Sequence, residues 1–293
     1  MTNLPPLLRL LRPTHWTKNL SAFAGAIFGG RLDEPWAVWT DFGVFLVLSV
    51  ASSAVYVFND LADIEHDRAH LTKRLRPLAA GEVAPSTARL VGGLLLVLAL
   101  GSSAWLGGSV LACVLAYLVL NFFYSKSLKH VVLVDVVCIA LGFALRVLAG
   151  IYALGDLPTV WIILCTFFLA LFLAFGKRRA ELLDAEEDPQ ARPVLGGYDR
   201  RFLDSLLDSS ATTVILTYAL FTATSGKNPS LIVTVPIVYY AILHYRRMLQ
   251  TTGQGAAPEQ VLLHDRVIQI CIGVWLATFL VISYGDLHFF RDG

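Results

Sequence analysis

Charged side chains are scarce in this chain. They make up 15% of its residues, against about a quarter in an ordinary soluble domain. Apolar residues fill 56% instead, and mean hydropathy is +0.64. That balance excludes a soluble globular enzyme and points to a polytopic membrane protein. A net charge of +1 leaves no basic footprint for nucleic acid. Cysteine is sparse as well. Cys113, Cys138, Cys165 and Cys271 all lie in apolar runs without short spacing, which argues against a disulfide framework or a thiolate metal site. The seven histidines make no ligand pattern; His66 and His70 are four apart but sit among phosphate-type residues. No G-x-S-x-G, P-loop or H-E-x-x-H is present. Leu4 to Leu11 is too short for the apolar region of a cleaved signal, and Arg12-Pro13 interrupts it.

What the chain does have is apolar length. Nine spans are expected, at about 17–32, 42–60, 88–106, 109–124, 131–152, 158–176, 209–227, 229–247 and 267–286, forming one integral domain over 1–293. The fold class is all-α, a bundle of about nine transmembrane helices. Nineteen of the 23 lysines and arginines fall on the N-terminus and every second connection, leaving Arg31, Lys227 and Arg291 opposite and Arg146 inside a span. This bias places the cation-rich face, with the long connections 61–87, 177–208 and 248–266, in the cytoplasm of a cell (inner) membrane. Polar chemistry is therefore expected at the cytoplasmic mouth.

One stretch organises the rest. Asn59, Asp60, Asp63 and Asp67 close the second apolar run, and Arg68, Lys73, Arg74 and Arg76 follow at once. On a continuing helix Asn59, Asp63 and Asp67 fall at i, i+4 and i+8, with Asp60 sharing the face of Asp63. Clustered carboxylates repel unless a cation lies between them. Hard oxygen ligands suit Mg2+, which takes one or two protein carboxylates and completes its shell with phosphate and water. An acidic cradle beside a basic run matches a magnesium-bound diphosphate; a solvated loop of mixed charge is the plainer alternative.

Other polar groups share that side. Tyr124, Lys126 and Lys129 precede Asp135, either as interfacial anchors or as the lining of a polar mouth. Arg146 lies well inside the fifth span, where arginine costs about 2.5–3.5 kcal/mol on insertion scales, so it must face a partner or a water-filled cavity. The sixth span ends in Lys177, Arg178 and Arg179 with Glu181; Lys177 and Glu181 are spaced for a surface ion pair, and the cations could also clamp phosphate. Arg12-Pro13 through Trp16, Lys18 and Asn19 reads first as an interfacial anchor, with Lys18 and Asn19 able to reach phosphate. Glu259, His264, Asp265 and Arg266 have no reading by spacing.

The pattern Asn59-Asp60-x-x-Asp63-x-x-x-Asp67 resembles the UbiA superfamily of intramembrane prenyltransferases. Its extension, Asp67-Arg68-x-His70-x-x-Lys73-Arg74-x-Arg76-Pro77, resembles the decaprenyl-phosphate phosphoribosyltransferase branch. So do Arg12-Pro13 with Trp16 and Lys18-Asn19, Tyr124-Ser125-x-x-Leu128-Lys129, Arg146 with Ala149-Gly150, and Gly176-Lys177-Arg178 with Glu181. Leu71 departs from the proline expected there. The resemblance implies a nine-span fold and a Mg2+-dependent transferase. It would move 5-phosphoribosyl from 5-phosphoribosyl diphosphate to a polyprenyl phosphate. Asp60, Asp63 and Asp67 would hold the metal. Lys18, Asn19, Asn59, Arg68, Lys73, Arg74, Tyr124, Lys129, Asp135, Arg146, Lys177, Arg178 and Glu181 would bind substrate. It also admits a homo-oligomer. Aromatic prenyltransferases usually carry a second aspartate-rich motif near the sixth span; here cations stand there, which suits phosphate-bearing substrates. The alternatives are a prenyltransferase acting on an aromatic or quinone precursor, and a transporter whose charges mark an ion path.

Overall fold

In the computed structural model, residues 4–70, 72–185, 193–251, 261, 264–285 and 287–290 are described. Leu71, Arg192, Glu259 and Arg291 lie outside them. Among the described residues the structure is helical throughout, with seven helices long and apolar enough to cross a membrane. The chain divides into two compact units, residues 1–127 with 145–157, and residues 128–144 with 158–293.

The first unit is built on α3 (Pro35–Ala62), a 28-residue helix started by proline at a position where no backbone donor is needed. Around it stand α1 (Pro6–Leu11), α2 (Ala24–Gly29), α4 (Ile64–Ala69), α5 (Pro85–Leu106), α6 (Gly108–Lys126) and the last part of α7 (Val134–Ala153). Val44, Val47, Leu48 and Ala51 of α3 meet Ala99, Val110, Val114 and Ala149 in a sealed core. Small residues set the distances. Gly150 lies so close to the chain at Ala22 that an added Cβ would stand 2.0 Å from the Ala22 carbonyl oxygen.

The expected first span, 17–32, is not one α-helix. Pro13–Phe23 is a tight 3-10 segment, followed by short α2 and a left-handed Gly30 at φ +73°. Hydroxyls reinforce the tighter winding: Thr17 donates to the Thr14 carbonyl and Ser21 to that of Lys18, each three residues back. Asp41, fully buried on α3, accepts from the Ala26 N–H at 2.9 Å and so pins α2.

The second unit holds α8 (Val160–Ala185), α9 (Arg200–Thr224), α10 (Val235–Thr251) and α11 (Arg266–Tyr284), with the first part of α7. Its core gathers Phe172, Phe175, Leu203, Leu207, Val214 and Leu249. Gly176 leaves room for Tyr245 and Leu249, whose atoms would lie 3.0 Å from an added Cβ. The expected eighth span, 229–247, begins as a 3-10 turn, Pro229–Thr234, and its α-helical part has 17 residues. α8 runs beyond the apolar limit expected at 176, because Lys177, Arg178, Arg179 and Glu181 are good helix formers that carry it onward.

Candidate active site

The acidic stretch does not continue as one helix. α3 ends at Ala62, Asp63 takes φ −102° and ψ 12°, and α4 begins at Ile64. The break is shallow, since the Asp63 N–H still bonds the Asn59 carbonyl at 3.0 Å and Asp67 bonds that of Asp63 at 2.8 Å. Seven residues are nearly two turns, so Asp60 and Asp67 come to one face. Both are 2% exposed, while Asn59 and Asp63 are half-buried. Because the break is shallow, the near-helical register keeps Asp60 and Asp67 on one face, a pairing that the i, i+4, i+8 reading did not single out.

The two carboxylates converge on one atom. Arg76 Nη1 stands 2.7 Å from Asp67 Oδ2 and 3.2 Å from Asp60 Oδ1. Arg12, from the start of the chain, donates to the same Asp60 oxygen and lies 4.9 Å over the Tyr56 ring. Burial lowers the Arg12 guanidinium's hold on its proton, and the Asp60 charge pulls the other way. Asp60 is also within electrostatic range of Asp63. The basic run splits: Lys73 is half-buried in a short 3-10 turn, Arg74 is exposed, and Arg68 points outward to Glu65 at 2.9 Å.

Deeper in the first unit, Arg146 donates from Nε to Asn19 Oδ1 at 2.8 Å and from Nη2 to the Tyr117 hydroxyl at 3.1 Å. Its guanidinium also lies 4.6 Å over the Tyr117 ring. Asn19 in turn donates to Ser49 and Ser52 of α3. Lys18 is half-buried, within electrostatic range of Tyr117, and Tyr124 is half-buried at the end of α6. Asn19 and Arg146 are therefore brought together, 127 positions apart in the chain.

In the second unit Arg178 and Asp135 form a sealed pair, Nε to Oδ2 at 2.7 Å, with side-chain exposures of 1% and 0%. Tyr198 donates its hydroxyl to Asp135 at 2.8 Å and accepts from the Leu133 N–H at 2.8 Å. Burial pushes the Tyr198 hydroxyl above its usual range. Glu181, which spacing offered to Lys177, accepts from Arg178. Lys177 and Lys129 are half-buried nearby in sequence, on α8 and on the 3-10 turn Leu128–His130. Arg179 and Arg246 share Asp204 at 2.7 and 3.0 Å, a tie between α8, α9 and α10.

Among the described residues, no group of three or more His, Cys, Asp and Glu is set to hold a metal. Asp60 and Asp67 remain as two buried hard-oxygen donors already directed at one cationic nitrogen. That suits an ion which takes one or two protein carboxylates and fills its shell from substrate and water.

The UbiA prenyltransferase family profile matches residues 19–264. The chain belongs to this family. Within it, this UbiA-family chain is 33% identical over 293 residues to a decaprenyl-phosphate phosphoribosyltransferase of Corynebacterium glutamicum, covering 95% of this chain and 86% of the relative. It is 34% identical over 289 residues to the Mycolicibacterium smegmatis protein of the same name, covering 93% and 90%. The UbiA fold is matched by a UbiA homolog from Archaeoglobus fulgidus bound to GPP and Mg2+, with a TM-score of 0.72, 22% identity and coverage of 96% and 98%. Arg12, Arg76, Tyr117 and Tyr198 were not among the expected site residues. The motif extension already held Arg76 and the Arg12-Pro13 segment held Arg12; the two tyrosines had no signal apart from the fold.

Proposed function

We propose that this UbiA-family membrane transferase moves the 5-phosphoribosyl group from 5-phosphoribosyl diphosphate to a polyprenyl (decaprenyl) phosphate, releasing diphosphate. The likeness to decaprenyl-phosphate phosphoribosyltransferases over nearly the whole chain carries this reading. The ribose C1–O bond to diphosphate breaks, a bond from C1 to a lipid phosphate oxygen forms, and attack from the opposite face inverts the centre. The phosphate nucleophile is ionised at neutral pH, so no strong general base is required.

Asp60 and Asp67, with Asp63 at the break, would hold Mg2+. Bound there, it would supply Lewis-acid neutralisation of the leaving diphosphate. Arg12, Lys73, Arg74 and Arg76 surround these carboxylates in sequence or space and would hold the donor's phosphates, with Arg146, Lys18 and Asn19 deeper in the same unit. In the second unit, Lys129 and Lys177 are the candidates for holding a phosphate, braced by Asp135, Arg178 and Glu181. The whole chain acts as one integral domain. The distribution of cations supports an active mouth facing the cytoplasm from the inner membrane.

The test incubates purified protein with Mg2+, labelled phosphoribosyl diphosphate and a short polyprenyl phosphate. Label should pass to the lipid phase, and Asp67→Asn should stop it without unfolding the protein. Transfer from a prenyl diphosphate to an aromatic acceptor, with none from phosphoribosyl diphosphate, would overturn the proposal.

A further inference from the structure

Two arginines pair with two buried carboxylates at the end of α3, with Asp63 in electrostatic range of Asp60. Asp60 and Asp67 have side-chain exposures of 2% and 3%, whereas Arg12 and Arg76 have 22% and 30%. The cations thus lie on the wetter side and cover the acids. A single guanidinium nitrogen of Arg76 takes the position where a cation would meet both carboxylates. The backbone that carries it is anchored: the Arg76 N–H bonds the Lys73 carbonyl at 2.9 Å, the Arg76 carbonyl accepts from Ala80 at 2.8 Å, and Pro77 follows. With the backbone held, the position would be vacated by rotation of the side chain alone.

We infer that Arg76, with Arg12, is a counter-ion interlock that keeps a divalent cation off Asp60 and Asp67 until the donor's diphosphate arrives to receive the arginines. The inference rests on the metal and donor assignment proposed above. Its physical basis is charge. The buried acids are already neutralised, so a divalent ion entering alone would add two positive charges beside two arginines in a site poor in water. A diphosphate entering alone would meet the acids. Together they exchange partners: the carboxylates pass from arginine to metal, and the arginines pass from carboxylate to phosphate. Every anion keeps a cation throughout. The metal and the donor therefore bind cooperatively, and neither binds well alone.

A purely bracing role for Arg76 predicts the opposite sign from the interlock when the residue is replaced, which makes the test decisive. Mn2+ alone serves as the metal probe, followed by loss of its free electron paramagnetic resonance signal with the full chain in detergent. Labelled inorganic diphosphate, with and without Mn2+, serves as the anion probe. In the unsubstituted protein each should bind weakly alone and tightly together. Arg76→Gln should bind Mn2+ alone about tenfold more tightly and should lose affinity for diphosphate in the presence of Mn2+. It should melt lower than the parent without metal and recover on adding Mn2+. Arg76→Lys and Arg12→Gln should shift Mn2+ affinity in the same direction by less, so the sign can be read even if Arg76→Gln is too unstable to purify. Unchanged or weakened Mn2+ binding in these variants overturns the interlock alone. Failure of Mn2+ and diphosphate to bind the unsubstituted protein together overturns the metal assignment as well. Neither result depends on which group is transferred, so the phosphoribosyl reading is judged separately by its own assay.

Discussion

Replacing Arg178 with methionine tests the second unit most sharply. The substitution keeps apolar length and removes the cation. It takes from Asp135, at 0% exposure, its guanidinium partner and leaves it the Tyr198 hydroxyl. Breaking a buried pair by deleting one member costs about 3–5 kcal/mol, since an uncompensated charge remains. With exposures of 1% and 0% there is no solvent screening to discount that figure. Asp135→Asn should cost less, about 1–3 kcal/mol, because Arg178 retains Glu181 and the amide retains the shape. In Asp135→Asn with Arg178→Met no buried charge is stranded, so the double variant should be more stable than the sum of the single losses by about 2 kcal/mol. Reversible unfolding in mixed micelles measures all four corners of the cycle. A loss below about 1 kcal/mol for Arg178→Met, or simple additivity, would refute the reasoning. Transfer activity in the double variant then separates a brace from a phosphate ligand. The Nε and Nη1 of Arg178 already face Asp135 and Glu181, so we expect phosphate affinity to survive.

Two further outcomes follow from the packing and from the helix ends. Gly150→Ala would place a Cβ 2.0 Å from the Ala22 carbonyl oxygen; we expect a loss of about 1–3 kcal/mol in thermal or micellar unfolding, and more than for Gly25→Ala, whose Cβ would meet the Gly150 backbone at 3.1 Å. Asp265 caps α11, accepting from the Ile268 N–H at 2.8 Å with His244 at 3.3 Å. Partial burial works to raise its proton affinity, but the Ile268 and His244 hydrogen bonds outweigh it, and its pKa is lowered. A lowered carboxylate contributes stability above its unfolded value, about 3.9, and loses it as pH falls through the folded value. Protection of the first-turn amides of α11, taken relative to their intrinsic exchange rates, should fall below about pH 4 and should show no such fall in Asp265→Ala.

Much of the fold could be read along the chain, and the exceptions have local causes. Long apolar runs announced α3, α5, α6, α7, α8, α9 and α11, because burying that much hydrocarbon leaves a helix few options in a bilayer. The same hydropathy could not announce the 3-10 winding of Pro13–Phe23, which depends on hydroxyl-to-carbonyl bonds and on the close approach of Gly150. Nor could it place the break at Asp63. Helical spacing grouped Asn59, Asp63 and Asp67 but did not single out Asp60 with Asp67, the two carboxylates that Arg76 joins.

Residue order alone was enough for a membrane-spanning, all-helical chain with acid and base concentrated at one end of its second long run. Such properties follow from composition and from near neighbours, which any reader of the chain can count. Pairing was decided in three dimensions. Arg12 meets Asp60 from 48 positions away, Arg178 meets Asp135 from 43, and Arg146 meets Asn19 from 127. A charge in a dry interior must find its counter-charge or its hydrogen bonds wherever packing brings them, and packing is a property of the folded chain as a whole.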